Sequence, residues 1–557
     1  MITNIENINI VVELLKKNNV RKIVISPGGT NIPFVKAVQD DAFFECHSIV
    51  GERSAVYFAI GLYLQCGEVI ACSCTSAQAT RNYIPGLTEA FYKRVPILAI
   101  TMAKHPRFTY QEYMQAPDQT SLPTDSVKES YCLPFLTDIN DKIESIRVVN
   151  EAIYSLKNRR RGPVQLCIPW LDFPIDEYQP KIRQIKNYSL ESKWEDLSQD
   201  KKILIVIGEH RKFDKDTRKA LEKFSESYNV AIYTNHLSNY EGEYSVNANL
   251  LLLTSKPQET PQFIPDVLIS IGGQTGDYPF FNYFSTPALE FEHWRIAEDG
   301  ELIDTYDKLE RVFTCSEYYF FEYFSKNTKV EHSYFDIWKN ALKNLKTDLD
   351  IPFSNAWIAS YLHDKIPQNS VIQFSILNSL RVWSFYKIHP SIECYSNVAA
   401  FGIDGGMSTL IGQSMIQNNL CFMIIGDLAF FYDMNSLGIR HIKNNLRILL
   451  INNNGGIEFK YNKNNNHDTD RYIAAGNHFK DARGWASTCG FKYLSVVNKE
   501  QFKGVAAEFI RPSDRPILLE AFVTDIDEAD AYNILVDKNK PRTMKNIVKK
   551  AIKGIMK

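Results

Sequence analysis

The chain has 557 residues, 45% apolar and 23% charged, with a formal net charge of −2. At roughly 100–200 residues per domain the length suggests about three domains, and the balanced charge gives no reason to expect a nucleic-acid partner. No apolar run approaches the roughly 18 residues of a membrane span, and the start, MITNIENINIVVELLKK, carries Glu6 and no basic lead, unlike a signal peptide.

The ten cysteines include no CxxC pair. Cys167 and Cys421 sit in apolar runs, and Cys72 and Cys74 are two apart, which is not zinc spacing. They read as reduced, small hydrophobes of a cytoplasmic protein.

In chain order, the first segment alternates apolar strands, RKIVIS at 21–26, VIACSCT at 69–75 and VPILAIT at 95–101, with helical periodicity over 52–65 and 81–92. Continuous apolar strands separated by helices predict a parallel α/β sheet. Residues 176–200 are polar and read as a linker. A second α/β segment follows, with strands at 201–208, 229–234 and 266–273, and a second linker near 340–350. The third segment has strands at 370–375, 421–427, 446–452 and 516–523. The expected fold is α/β with three domains, 1–175, 195–345 and 350–557, each a mostly parallel sheet flanked by helices. The turn GGQTGDY at 272–278 lacks GxGxxG spacing and is a weak nucleotide signal. The C-terminal stretch has Ile547, Val548, Ala551, Ile552 and Ile555 at helical spacing with lysines opposite, as in a helix docked on protein or, less favoured, on a membrane surface.

Ligands of open parallel sheets bind at the carboxyl ends of strands. Two such ends stand out in the third segment. CFMII runs into Gly426-Asp427, and LRILLI runs into Asn452-Asn453-Asn454-Gly455-Gly456. Between Asp427 and Asn454 lie 26 residues, room for a helix, with its body at 436–443, and a return strand. A carboxylate, an amide oxygen and a glycine carbonyl form an all-oxygen set suited to Mg²⁺. Each half alone reads as a helix start or a polar turn; together, at this separation, they point to a cation site.

The pair resembles the thiamin-diphosphate (ThDP) motif. The wording GDLAFFYDMNSLG followed by NNNGG is most similar to one branch, 2-succinyl-5-enolpyruvyl-6-hydroxy-3-cyclohexene-1-carboxylate (SEPHCHC) synthase. The resemblance extends to ISPGGTNIPF, GERSAVYFAIGLYL, QAPDQ, NSL and GIDG. It implies that Asp427, the Asn454 side chain and the Gly456 carbonyl hold Mg²⁺ against the cofactor diphosphate, beside Gly426. It implies that Glu52 hydrogen-bonds the aminopyrimidine ring and promotes loss of the thiazolium C2 proton. Ile403 becomes the apolar wedge under the bent cofactor, Ser379 a neighbour of cofactor and substrate, and Gln115 a substrate contact. It further implies a homodimer or homotetramer with each cofactor at a subunit interface, Glu52 and Asp427 coming from different subunits.

The same resemblance implies the polyanionic substrates 2-oxoglutarate and isochorismate, met by arginines whose planar fork matches a carboxylate. Three of those positions are Thr30, Trp383 and Val398 here, and a fourth basic one is Lys104. Each lost bidentate contact costs roughly 1.5–3 kcal/mol. Lys104, Arg107 or Arg381 could compensate only with another geometry. The expected activity is therefore decarboxylation of a 2-oxo acid and transfer of the carbanion to an acceptor, with a less anionic substrate pair. The alternatives are a simple 2-oxo acid decarboxylase, with His47 or His105 as proton donor, a catalytically silent scaffold, or a SEPHCHC synthase with a rebuilt pocket.

Overall fold

A computed structural model describes residues 5–158, 160–170, 181–461 and 471–541. The amphipathic spacing at 547–555 and the linker residues 176–180 lie outside them. The chain is α/β, built on three parallel sheets.

The first sheet comprises β1 (Lys22–Ile25), β2 (Glu45–Ser48), β3 (Ile70–Cys74), β4 (Ile97–Lys104), β5 (Ser130–Cys132) and β6 (Val164–Trp170), in the order β2-β1-β3-β4-β6-β5. The second comprises β7 (Lys186–Tyr188), β8 (Lys202–Ile207), β9 (Asn229–Tyr233), β10 (Ser245–Val246), β11 (Val267–Ile271), β12 (Glu292–Ile296) and β13 (Leu309–Phe313), in the order β10-β9-β8-β11-β12-β13-β7. The third comprises β14 (Val371–Phe374), β15 (Glu393–Ser396), β16 (Cys421–Gly426), β17 (Leu446–Asn452), β18 (Lys492–Val496) and β19 (Ile517–Phe522), in the order β15-β14-β16-β17-β19-β18. By compactness the chain forms two units. One is residues 1–180, 371–379 and 396–525, and the other is 181–370, 380–395 and 526–557.

The interior strands β3, β9 and β17 are buried at every position. Helices cover both faces of a parallel sheet, so such strands read as unbroken apolar runs. The helix Glu52–Cys66 starts directly after Gly51 and stops where Gly67 turns left-handed and donates its N–H to the Tyr63 carbonyl.

Three expectations need correction. The helix placed at 436–443 instead begins at Asp427 and runs to Tyr432; a 3₁₀ turn, Met434–Gly438, follows. The periodicity over 81–92 divides into Gln78–Asn82 and Ile84–Lys93, because Pro85 starts a new first turn rather than extending an old one. The linker 176–200 contains β7, which pairs with β13 at the edge of the second sheet.

One buried cation ties the third sheet to a helix. Arg447, on β17, is wholly buried. Its guanidinium donates to the carbonyls of Phe509, Asn444 and Leu446 at 2.8 Å each, and to that of Arg511. Phe509 ends the helix Lys499–Phe509, whose terminal carbonyls lack helical partners and favour a cation. Arg447→Met leaves four acceptors without that donor. We expect a loss of about 2–4 kcal/mol, read as a lower urea midpoint; an unchanged midpoint would remove Arg447 from this role.

Candidate active site

β16 and β17 are parallel neighbours, with Gly426 opposite Ile451, so their carboxyl ends lie side by side. Asp427 opens its helix, and its carboxylate spans the two ends. Oδ1 accepts the Leu428 N–H at 2.8 Å, and Oδ2 accepts the Gly455 N–H at 2.8 Å. Burial pushes its pKa up to about 6 against these bonds. Gly455 stands at φ 129°, and a Cβ there would lie 2.7 Å from the Ala474 carbonyl oxygen, so glycine is required at this position. Above Gly426 a Cβ would meet nothing within 4 Å.

The three amides of the turn have different surroundings. Asn452 donates through Nδ2 to the Lys480 carbonyl at 3.0 Å and to Glu520 Oε1 at 2.7 Å. Asn454 forms a reciprocal pair with Asn477, donating to its Oδ1 at 3.0 Å and accepting its N–H at 2.9 Å. The Gly456 carbonyl accepts the Phe459 N–H at 3.2 Å. Asn453, only 4% exposed, has a buried Oδ1 with no hydrogen-bond partner among the described residues. A buried carbonyl oxygen without a donor is costly and calls for an explanation such as an ion. Of the three amides in the turn, Asn453 alone has a side-chain oxygen that is buried without a partner among the described residues. Among the described residues no cluster of three or more His, Cys, Asp or Glu could hold a metal, and a single carboxylate with amide and backbone oxygens fits a hard cation such as Mg²⁺.

Glu52 is 6% exposed and accepts the Tyr432 hydroxyl at 2.6 Å on Oε2. Tyr432 ends the helix that Asp427 begins, so one short helix touches both carboxyl groups in a single chain. Burial pushes Glu52 up to about 7, opposed by the Tyr432 bond and by Asn82 and reinforced by Asp404. Asp404 belongs to GIDG at 402–405, just before the helix Gly406–Ile416. Ile403 in that loop is only half-buried, which leaves part of its side chain available as a wedge.

Of the remaining expected positions, Ser379 is buried at the start of the helix Asn378–Trp383. Gln115 is half-buried at φ 61°. Lys104 ends β4 with its ammonium 5.6 Å from the Tyr113 ring. The Thr30 hydroxyl lies 2.8 Å from that of Thr75 and accepts the Ser76 N–H at 3.0 Å. Val398 and Trp383 are wholly buried, and the Trp383 indole donates to Asn355 at 3.1 Å.

Sequence reasoning passed over Asn453, Tyr432 and Asp404.

Residues 7–122 match the family described as "Thiamine pyrophosphate enzyme, N-terminal TPP binding domain". The chain is 31% identical to a protein of Phocaeicola vulgatus named 2-succinyl-5-enolpyruvyl-6-hydroxy-3-cyclohexene-1-carboxylate synthase, over 97% of this chain and all of that one. It is 30% identical to a protein of the same name from Bacteroides thetaiotaomicron, again over 97% of this chain and all of the other. A third of that name, from Porphyromonas gingivalis, is 26% identical over 92% of this chain and 94% of its own. No helix of the described residues is long and apolar enough to cross a membrane.

The raised pKa of Glu52 makes stability depend on pH. Its protonated form is favoured by folding, so its contribution is complete below the ordinary value of 4.5 and is lost as pH rises through about 7. The loss is on the order of 3 kcal/mol at 1.36 kcal/mol per pH unit. Denaturant titrations from pH 4 to 8 should show it in the unmodified protein and not in Glu52→Gln. Tyr432→Phe should extend the decline to higher pH, because it removes a bond that favours the ionised form. Parallel pH profiles for all three proteins would contradict the burial of an ionisable Glu52.

Proposed function

Because the chain belongs to the thiamine pyrophosphate enzyme family and is related to proteins named SEPHCHC synthase, we propose that it binds thiamin diphosphate with Mg²⁺, decarboxylates a 2-oxo acid and joins the remaining carbons to an acceptor. The observation that carries this reading is the junction of β16 and β17. There a buried carboxylate, Asp427, meets a turn whose Asn453 oxygen has no protein partner, while Glu52 is held at the far end of the same helix.

Bound thiamin diphosphate supplies the electron sink that loss of CO₂ from a 2-oxo acid requires. The chain's residues do the rest. Asp427 and Asn453 would hold the Mg²⁺ that anchors a diphosphate, with the uncovered space above Gly426 beside them. Glu52, buried and titrating near neutrality, can hold or release a proton at its carboxyl with little driving force either way. Ile403 offers a partly uncovered apolar side chain next to that carboxyl's neighbour, Asp404.

The substrate pair is less anionic than the polycarboxylate in the relatives' name. Desolvating a carboxylate needs a cationic or multiply hydrogen-bonded partner. Here the Thr30 hydroxyl is engaged with Thr75 and Ser76, and Trp383 and Val398 are sealed in the interior. A second reading, SEPHCHC synthase itself, is favoured by relatives of that name aligned over nearly the whole chain.

An assembly of two or four chains belongs to the same proposal. Tyr57, Phe58 and Leu64 stand 45%, 39% and 56% exposed on the helix that Glu52 begins, the kind of apolar surface a second copy would cover. Mixing Glu52→Gln with Asp427→Ala should restore activity if each site draws on two chains. No recovery after demonstrated subunit exchange would mean that each site is complete within one chain, as the Glu52–Tyr432 bond is.

Two measurements test the chemistry. Calorimetric titration with thiamin diphosphate should require Mg²⁺ and should fail in Asp427→Ala and weaken in Asn453→Ala more than in Asn454→Ala; equal affinities throughout would sink the metal assignment. A panel of 2-oxo acids, with and without acceptors, should release CO₂ fastest with donors less anionic than 2-oxoglutarate, and ligated product should separate a carboligase from a simple decarboxylase. With 2-oxoglutarate and isochorismate, kcat/KM should lie orders of magnitude below an ordinary enzyme's 10⁴ M⁻¹s⁻¹ or so. Ordinary turnover of that pair would favour the second reading.

A further inference from the structure

The turn 452–456 is laced to a second segment, residues 474–482, at every other position. Asn452 binds the Lys480 carbonyl, Asn454 pairs with Asn477 through two bonds, and the Gly456 N–H donates to the Ala474 carbonyl at 2.6 Å. The residues just before and within that segment reach the first sheet. Tyr472 donates to the Cys46 carbonyl at 3.0 Å, and His478 lies 3.0 Å from the Ser48 hydroxyl, both on β2. Phe479 stacks on Phe431, in the helix of Asp427, at 4.3 Å.

One residue closes this lacing from behind. Glu520, on β19, is wholly buried. Its Oε1 accepts Asn452 Nδ2 at 2.7 Å; its Oε2 accepts the Ala482 N–H at 2.9 Å and the Tyr493 hydroxyl at 2.7 Å. We infer that Glu520 is a positioning residue for the metal-binding turn, fixing both Asn452 and the end of the laced segment so that Asn453 is held in one orientation. The inference rests on the reading of Asp427 and Asn453 as the cation site.

The chemistry of the three donors carries it. Two N–H groups and a hydroxyl converge on one side chain, and only a carboxylate presents acceptor oxygens on both arms. Both hydrogens of the Asn452 amide are thereby spent, one on Glu520 and one on Lys480, so the amide cannot flip without losing two bonds. Asn453 is its direct neighbour in the chain, and an unanchored Asn452 would let the Asn453 carbonyl turn away from a cation. Partners that orient metal ligands in this way are worth about 10–100-fold in metal affinity. A glutamate serving the fold alone would affect stability without that selectivity.

The test is Glu520→Gln in the full-length protein. The amide keeps the shape but must point an N–H₂ group at Asn452 or at Ala482, setting donor against donor. The readout is the Mg²⁺ concentration that gives half-maximal binding of thiamin diphosphate by calorimetry, beside the melting temperature without ligand. Tyr493→Phe is the comparison, since it removes one donor from Glu520 and leaves both bonds to the turn region in place. We expect the Mg²⁺ midpoint to rise about 10–100-fold in Glu520→Gln and to stay within about twofold in Tyr493→Phe, even where both melt lower. Should Glu520→Gln fail to fold, Asn452→Ser carries the test, because it breaks the same link from the other side and should raise the midpoint likewise. Midpoints unchanged from the unmodified protein would overturn the positioning role while leaving the metal site intact. Binding of thiamin diphosphate that ignores Mg²⁺ in the unmodified protein would overturn both.

Discussion

The hydrogen bond from the Gly455 N–H to the Asp427 carboxylate is the joint on which the candidate site depends. It ties two adjacent strand ends together. It can do so because parallel pairing in register brings Gly426 beside Ile451 and because glycine alone tolerates both the backbone angle and the Ala474 carbonyl at position 455. The cost is a carboxylate held out of water, pushed up to about 6 despite its amide donors. A buried anion so poorly compensated by the protein is what a divalent cation would relieve.

Glu52 shows the same economy of means at the other end. Its environment combines burial, one hydroxyl donor from Tyr432 and a like charge at Asp404. The first and third act against ionisation and the second favours it, leaving the group near neutrality. No single neighbour would place it there. Because Tyr432 lies on the helix that Asp427 starts, any displacement of that helix is felt by both carboxyl groups.

Family membership and substrate choice rest on different parts of such a chain. The candidate cofactor residues sit at strand ends, where backbone geometry does much of the positioning, and relatives align with the chain over nearly its whole length. Substrate carboxylates depend instead on individual side chains reaching a pocket. In this chain the Thr30 hydroxyl is tied to Thr75, and Trp383 and Val398 lie in the interior; one fold can carry different chemistries through such side chains.

Much of this was legible in the chain itself. Continuous apolar runs gave away the central strands, Leu446–Asn452 most cleanly, since a strand covered on both faces must be apolar throughout. The Gly-Asp and Asn-Gly clusters marked the strand ends that meet, because few other residues suit a sharp polar turn directly after a strand. Short or interrupted elements were not legible. β7 has three residues and no pattern to show, and the helix after Asp427 begins one residue past its strand, with no spacer to announce it. Nor could the sequence separate three consecutive asparagines. Asn452 and Asn454 are claimed by Glu520, Lys480 and Asn477, residues 23 to 68 positions away, and Asn453 is left with its oxygen unpaired. Likewise Trp383 and Val398 could have lined a pocket as easily as filled a core. Composition and local spacing determine which residue types arrive at a strand end; which of their polar atoms stays unpaired depends on segments distant in sequence, and only tertiary packing brings those into place.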